Sequence, residues 1–161
     1  MKNIFISLLT LFSFLGYSQD DASPWGSSPD SDCNETILLQ PTTQITLNGE
    51  PIEYGTWIGV FYIDINGNLT YGGGIVWNGV TTSIAAWGSE AGMNNGFAAG
   101  EEYTFGIIDP NSGETIYSTE ATYSFGDGAY SCNGLEGLSS ISFTSNNNTD
   151  CVDDDSLMTP L

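Results

Sequence analysis

One stretch constrains the fold of this chain more than any other: residues 56–88, which read TWIGVFYIDINGNLTYGGGIVWNGVTTSIAAWG. In it, Asn66-Gly67 and Asn78-Gly79 each lie between runs rich in apolar residues. Asn-Gly favours a two-residue type I′ turn, because both central residues of that turn need a positive φ. The stretch therefore predicts three antiparallel strands joined by two tight turns, the first of which places Ile65 opposite Asn68.

The two turns also assign the side chains to the two faces of one sheet, because strand side chains alternate. The second turn places Trp77 opposite Val80. The predicted core face takes aliphatic and aromatic residues from all three strands: Ile58, Val60, Tyr62, Leu69, Tyr71, Ile75, Trp77, Val80, Ile84 and Ala86.

The opposite face of this sheet is half apolar and carries three large rings, Trp57, Phe61 and Trp87. On it, Phe61 falls opposite Gly72 and Trp57 beside Gly74, where a ring packs over bare backbone. Two interpretations stay open. An exposed face offers the rings as a ligand-binding platform that stacks on sugars, and a covered face makes them a second layer of core.

The rest of the chain continues the pattern of short alternating segments between Gly, Asn and Pro turns. Further strands are predicted within 35–39, 45–47, 101–109, 114–125 and 135–144. No apolar period of 3.6 residues is sustained, and we expect Phe97 to anchor the long loop 89–100. The predicted fold is all-β, a two-layer antiparallel β-sandwich (Ig-like or jelly-roll-like) of about eight or nine strands.

Both ends of the chain are predicted to lie outside a sandwich domain of residues 35–145. Residues 1–18 combine one Lys, an apolar run and small residues, which is typical of a secretory signal peptide. Residues 19–34 predict a flexible acidic leader whose Trp25 is a candidate to dock on the domain, and residues 146–161 predict an acidic tail. No further apolar run approaches the ~20 residues of a membrane helix, so we expect a secreted, extracellular or cell-surface protein without membrane insertion.

Charge excludes several functions. Lys2 is the only basic residue, against 20 Asp and Glu, and there is no His. Such a chain cannot neutralise phosphate, which excludes nucleic acid and anionic membranes as partners. Catalytic triads that use His and His-ligated metals are excluded as well. Two carboxylates could still hydrolyse a glycoside, but the adjacent Glu101 and Glu102 point to opposite faces of a strand. We therefore predict that the protein is not an enzyme.

The chain has three cysteines. Cys33 precedes the first predicted strand and Cys132 the last one, so we expect a disulfide between them, as is usual outside the cytoplasm. It would close a loop of roughly a hundred residues and contribute on the order of 4 kcal/mol. Cys151 is then left to pair with another chain or with a partner in a longer polypeptide.

One calcium site is a candidate. Asp64, Asn66 and Asn68 place oxygen ligands at alternate positions around a glycine, as calcium loops do. The distal Glu of a complete loop is missing and the same residues suit a hairpin, so both interpretations stay open. A weaker cluster of the same kind contains Asp109, Asn111 and Glu114. No other cofactor is predicted.

Three segments together resemble a known module: residues 57–77, residues 84–109 (IAAWGSEAGMNNGFAAGEEYTFGIID) and, within 121–141, ATYSF followed by NGLEGLSSI. They resemble a β-sandwich module of large secreted surface proteins from bacteria that use the type IX secretion pathway. There the module often occurs in several copies beside adhesion or other binding domains. Where members commonly carry a Cys, this chain has Tyr71. The tail DCVDDDSLMTPL resembles the opening of a Cys-rich repeat, which implies that the chain is a fragment.

Two functional hypotheses follow. The first is a non-catalytic binding or adhesion module for carbohydrate or another extracellular polymer, with Trp57, Phe61 and Trp87 as ligand-binding residues. The second is a structural spacer or assembly subunit, with neighbouring copies or domains as partners.

Overall fold

A computed structural model describes residues 22–145, which form nine strands and no helix. The strands are β1 (Asn34–Leu39), β2 (Gln44–Leu47), β3 (Glu50–Pro51), β4 (Thr56–Ile63), β5 (Leu69–Trp77), β6 (Thr82–Trp87), β7 (Thr104–Ile108), β8 (Thr115–Phe125) and β9 (Leu135–Phe143). The predicted all-β fold is confirmed. Because this part of the chain has no helix, it contains no apolar helix long enough to span a membrane.

The strands form two layers that share one long strand. In the first layer, β9 pairs with β8 along one edge and with β1 and then β2 along the other. The pairings of β1 and β2 with β9 are parallel, so the sheet is mixed and not antiparallel throughout as predicted. In the second layer the order is β5, β4, β7, β8. Residues 115–117 of β8 pair with β7, and residues 118–125 pair with β9 through several register shifts. Such irregularities increase bend and twist, and they accompany the passage of β8 from one layer to the other.

The first Asn-Gly turn differs from the prediction. The backbone N–H of Asp64 donates to the carbonyl of Asn68 at 2.9 Å, so residues 65–67 form a three-residue loop. Gly67 has a φ of 82°. Asn66 lacks the positive φ that a type I′ turn requires, since Asn48 and Asn133 are the only non-glycine residues of the described part with a positive φ. The pairing of Ile65 with Asn68 is therefore wrong. A turn with two positive φ values, as type I′ requires, occurs instead at Asn48-Gly49.

The longer loop changes which way Tyr71 points. Ile58 pairs with Ile75 as predicted, but the register shifts at Val60/Phe61, and Phe61 pairs with Tyr71. A one-residue shift in register turns the β5 side chains between the shift and the loop to the other face of the sheet. Tyr71 is therefore buried beside Phe61, on the face opposite Ile58, and its assignment to the predicted core face is wrong.

The second Asn-Gly turn does not form a paired hairpin. β6 pairs with β1, from Asn34 opposite Trp87 to Leu39 opposite Thr82, and not with β5. β6 passes so close to β5 that a Cβ at Gly73 would overlap the Ala85 carbonyl oxygen. The predicted pair Trp77–Val80 is consequently wrong, and Val80 is 59% exposed.

The core between the layers contains most of the residues predicted for it. Buried members of the predicted face are Ile58, Val60, Tyr62, Trp77, Ile84 and Ala86, and Ile75 is half-buried against them. Leu69 pairs with Ile63 beyond the register shift and lies on the face of Tyr71, so its assignment to the core face is wrong as well. Phe97 is also fully buried and stacks on Tyr130 with the ring centroids 5.7 Å apart. The expected anchoring of the loop 89–100 by Phe97 is confirmed.

The predicted disulfide is confirmed. Cys33 and Cys132 are bonded, with their Cα atoms 5.6 Å apart. The carbonyl of Cys33 also accepts hydrogen bonds from the Gly88 backbone N–H at 2.8 Å and from the Tyr130 hydroxyl at 3.3 Å. A disulfide is typical of proteins outside the cytoplasm. The predicted signal peptide, the predicted acidic tail and Cys151 lie outside the described residues.

Candidate functional site

The three rings predicted as one platform lie in different environments. Phe61 is only 3% exposed. Trp57 is half-buried at the start of β4, and Trp87 is half-buried at the end of β6 in the other layer. Because β6 leaves the sheet that contains β4, Trp57 and Trp87 do not share a face. The prediction that Trp57, Phe61 and Trp87 form one exposed platform is therefore wrong.

Phe61 is covered by the leader segment. The Trp25 ring meets the Phe61 ring edge-on at 5.2 Å and lies 5.5 Å from the Tyr71 ring. Its indole N–H donates to the Thr115 hydroxyl at 2.8 Å. A Cβ at Gly59 would lie 2.8 Å from the Trp25 ring, so a glycine there makes room for the indole. The leader thus closes this part of the outer face, as the candidate docking residue Trp25 suggested.

An open groove surrounds Trp57, and we call it the Trp57 groove. Its volume is about 490 Å³. Apolar side chains dominate its lining, with Glu50 and Glu53 the charged residues among them. The apolar lining residues include Pro24, Leu47, Ile52, Trp57, Ile108 and Pro110. Pro24 precedes the docked Trp25, so the leader supplies part of the wall.

The hairpin of β2 and β3 forms another wall of this groove and is fixed to the sandwich. The Asn48 backbone N–H donates to the Phe143 carbonyl at 2.9 Å. The Asn48 side chain exchanges two hydrogen bonds with Ser145, at 2.9 Å and 3.0 Å. Beyond the hairpin, the Ile52 N–H donates to the Ile45 carbonyl at 3.1 Å. The groove is therefore preformed rather than dependent on a free loop.

A second groove lies on the other side of the same segment, and we call it the Tyr54 groove. Its volume is about 680 Å³, and Pro51, Ile52 and Glu53 line both grooves. Tyr54, Trp77 and residues 41–46 complete most of the lining. Tyr54 was not among the residues predicted to bind a ligand. The pattern Glu53-Tyr54-Gly55-Thr56, an aromatic residue just before a turn glycine, was the available signal.

The candidate calcium residues form a hydrogen-bonded loop. Asp64 accepts backbone N–H bonds from Asn66 and Asn68, both at 2.8 Å. The two side-chain amides also donate toward this carboxylate, at 3.5 Å and 3.4 Å. The Asn68 N–H is the main reason that the pKa of Asp64 lies below its ordinary value. These contacts explain the loop without an ion, and calcium binding stays a prediction.

The weaker cluster is built in the same way. Asp109 is buried, and its carboxylate accepts the Asn111 N–H at 2.9 Å, which lowers the pKa of Asp109. Within residues 22–145, no group of three His, Cys, Asp or Glu residues is arranged to hold a metal ion.

Two buried carboxylates were missed by the sequence analysis. Glu35 and Glu136 are each 2% exposed. Glu35 accepts the Tyr103 hydroxyl at 2.6 Å and the Ser131 N–H. Glu136 accepts the Gly128 N–H at 2.9 Å, and burial is the main reason that its pKa is raised.

These two acids organise the loop that precedes β9. Burial, followed by the hydrogen bond to Glu35, raises the pKa of Tyr103. Every buried polar side-chain atom in the described part has a hydrogen-bond partner. Both carboxylates are buried and accept backbone N–H bonds, so they act as internal acceptors that hold this loop.

Comparison with known proteins gave no match. No family model matches the chain, no curated protein sequence is significantly similar to it, and no solved structure matches its fold. The fold defines the molecule as a β-sandwich with an internal disulfide, and the two grooves beside residues 51–53 are among its open cavities.

Proposed function

We propose that this protein is an extracellular or cell-surface binding module without catalytic activity, and that its ligand is a carbohydrate polymer bound in the Trp57 groove. The observation that carries this proposal is the half-buried Trp57 in a preformed, open and mainly apolar groove with Glu50 and Glu53 in its lining. Concave apolar sites with a few polar groups are the usual form of small-ligand sites.

The chemistry of the groove suits a sugar better than an anion. The face of an indole packs against the apolar face of a pyranose ring, and the exposed carboxylates accept hydrogen bonds from hydroxyl groups. Residues 22–145 contain no Lys, Arg or His. Polyanions such as nucleic acids or sulfated glycans would therefore meet repulsion without any compensating contact.

Three further observations support an extracellular and non-catalytic role. The Cys33–Cys132 disulfide favours an oxidising compartment. The buried carboxylates Glu35 and Glu136 are closed to solvent. The resemblance of residues 57–141 to modules of type IX-secreted surface proteins also agrees with this role, and we propose secretion by that route.

A glycan array followed by titration calorimetry tests the proposal, with the wild-type protein, Trp57→Ala and Trp87→Ala. We expect binding of at least one neutral glycan and a loss of at least about tenfold in affinity for Trp57→Ala, which is about 1.4 kcal/mol. Trp87→Ala is the matched control, since it removes an equally half-buried indole from the other layer. Binding of no glycan, or equal losses in both variants, would refute the proposal.

The alternative is a spacer or assembly subunit, and one observation favours it. Among residues 22–145, β5 pairs with β4 alone, so its other edge offers backbone groups to an added strand. A concentration-dependent oligomer in sedimentation analysis, without glycan binding, would support this alternative.

A further inference from the structure

One segment lines both of the grooves described above. Pro51, Ile52 and Glu53 line the Trp57 groove on one side and the Tyr54 groove on the other. We call residues 51–53 the ridge. Trp57 and Tyr54 are only three residues apart, so their Cα atoms lie within about 11 Å of each other. The two grooves are therefore neighbours along the surface.

Tyr54 is highly exposed and yet fixed in position. It is 75% exposed, and it occupies a turn in which the Thr56 N–H donates to the Glu53 carbonyl at 3.3 Å. Gly55 has a φ of 93°, as the third residue of a type II turn requires. Its N–H donates to the Trp77 carbonyl at 2.7 Å, which ties the turn to β5.

The Tyr54 ring also packs on a bare backbone. A Cβ added at Gly79 would lie 2.5 Å from the ring, so the phenol occupies space that a side chain at position 79 would need. An exposed aromatic ring that is held by a turn and by a glycine loses little conformational freedom when a ligand binds. It is a preorganised stacking surface beside a groove.

Charge restricts what can lie across both grooves. Glu53 lines both of them, Glu50 lines the Trp57 groove, and no basic residue exists in the described part. A polyanionic chain would be repelled along its whole length. A neutral chain with apolar faces and many hydroxyl donors complements aromatic rings and carboxylate acceptors on both sides of the ridge.

We infer that the Tyr54 groove is a second subsite for the ligand of the Trp57 groove, and that the ligand is an extended neutral polysaccharide that crosses the ridge. This inference rests on the proposed function. It adds that the ligand is long enough to span both grooves and that it is neutral. Trp57 and Tyr54 each stack on a sugar of the same chain, so affinity must depend on how many sugars the chain has.

Titration calorimetry with oligomers of two to eight sugars tests this inference. The probes are neutral β-1,4-linked oligomers of glucose, xylose and N-acetylglucosamine. The proteins are the wild type, Tyr54→Ala, Tyr54→Phe, Trp57→Ala and the control Phe125→Ala. Phe125 is 42% exposed and lines neither groove. Because Tyr54 is largely exposed, Tyr54→Ala should fold normally, which circular dichroism would verify.

We expect wild-type affinity to rise with oligomer length and then to level off. Tyr54→Ala should lose at least about tenfold in affinity for the long oligomers and leave the short ones unchanged. Tyr54→Phe should retain most of the affinity, and Phe125→Ala should match the wild type.

The results also separate the two proposals. If Trp57→Ala abolishes binding while Tyr54→Ala binds long oligomers as the wild type does, the second subsite is refuted and the proposed function stands. If neither these oligomers nor any neutral glycan of the array binds the wild type, both are refuted. A steep loss of affinity with added salt, or a preference for deacetylated chains with free amines, would refute the neutral ligand and indicate a cationic one.

Discussion

Replacing Trp25 by alanine is expected to destabilise the domain, although Trp25 lies outside every strand. The indole packs on Gly59 and contacts the Phe61 ring at 5.2 Å, the Tyr71 ring at 5.5 Å and the Thr115 hydroxyl at 2.8 Å. Its removal would also expose the buried Phe61.

The magnitude follows from these contacts. Truncation of a fully buried Phe or Trp to Ala costs about 3–5 kcal/mol, and Trp25 is half-buried. Each aromatic pair contributes about 1 kcal/mol beyond its buried area, and the hydrogen bond contributes about 1 kcal/mol. Ordering the leader offsets part of this gain. We therefore expect Trp25→Ala to lower the free energy of unfolding by about 2–3 kcal/mol.

Urea unfolding followed by circular dichroism measures the loss. Trp25→Phe keeps ring contacts but removes the N–H, so it should lose about 1 kcal/mol. A double-mutant cycle of Trp25→Phe with Thr115→Val isolates the hydrogen bond, for which we expect a coupling energy of about 1 kcal/mol. A loss under about 0.5 kcal/mol for Trp25→Ala, within the range of ordinary surface substitutions, would refute the docked leader.

Two further predictions concern stability. Replacing both Cys33 and Cys132 by serine should lower the free energy of unfolding by about 4 kcal/mol, because the reduced chain regains the entropy of a loop of about a hundred residues; an unchanged urea midpoint would contradict this. The pKa of Glu136 is raised in the folded state, so the stability linked to its protonated form is present at low pH and is lost as pH rises through that pKa. The stability of Glu136→Gln relative to the wild type should therefore increase as pH rises through the raised pKa of Glu136, and a difference that does not change with pH would argue against the buried carboxylate.

Local alternation and cysteine position predicted much of the fold. Ile84 lies between Ser83 and Ala85, and strand periodicity places it in the core without knowledge of the partner strand. Cys33 and Cys132 each precede one of two strands that turn out to be neighbours. These features depend on short stretches of sequence or on chain ends, which is why they could be predicted.

Loop length and strand partners were harder to predict. Asn66-Gly67 suits both a two-residue loop and a three-residue loop, because each needs a glycine with positive φ. The extra loop residue places the Tyr71 side chain on the opposite face of the sheet. The partner of β6 depends on a close approach at Gly73 that only the assembled layers reveal. A propensity for turns therefore identifies where the chain reverses but not with what it pairs.

The candidate site was predicted only at Trp57. Phe61 could not be recognised as covered, since the residue that covers it belongs to a leader without strand pattern. Tyr54 could not be predicted as a binding residue, because that requires knowing that its ring packs on Gly79. Glu35 and Glu136 carried a usable signal, because each occupies a core-facing position of its strand, in phase with Ile37 and Leu138 respectively. A charged residue in that phase predicts an internal hydrogen-bond network rather than a surface.

The disulfide has a mechanical consequence for a protein that is tethered and pulled. Tension applied outside residues 33 and 145 passes across the sulfur atoms to Cys132 and bypasses the loop between the two cysteines. Of the described residues, only 22–32 and 133–145 can then be drawn out, and the C-terminal segment adds a length of about 45 Å at most. Both grooves lie almost entirely inside the shielded loop, so a load that strips β9 from its neighbours still cannot unravel the segment that carries Tyr54 and Trp57.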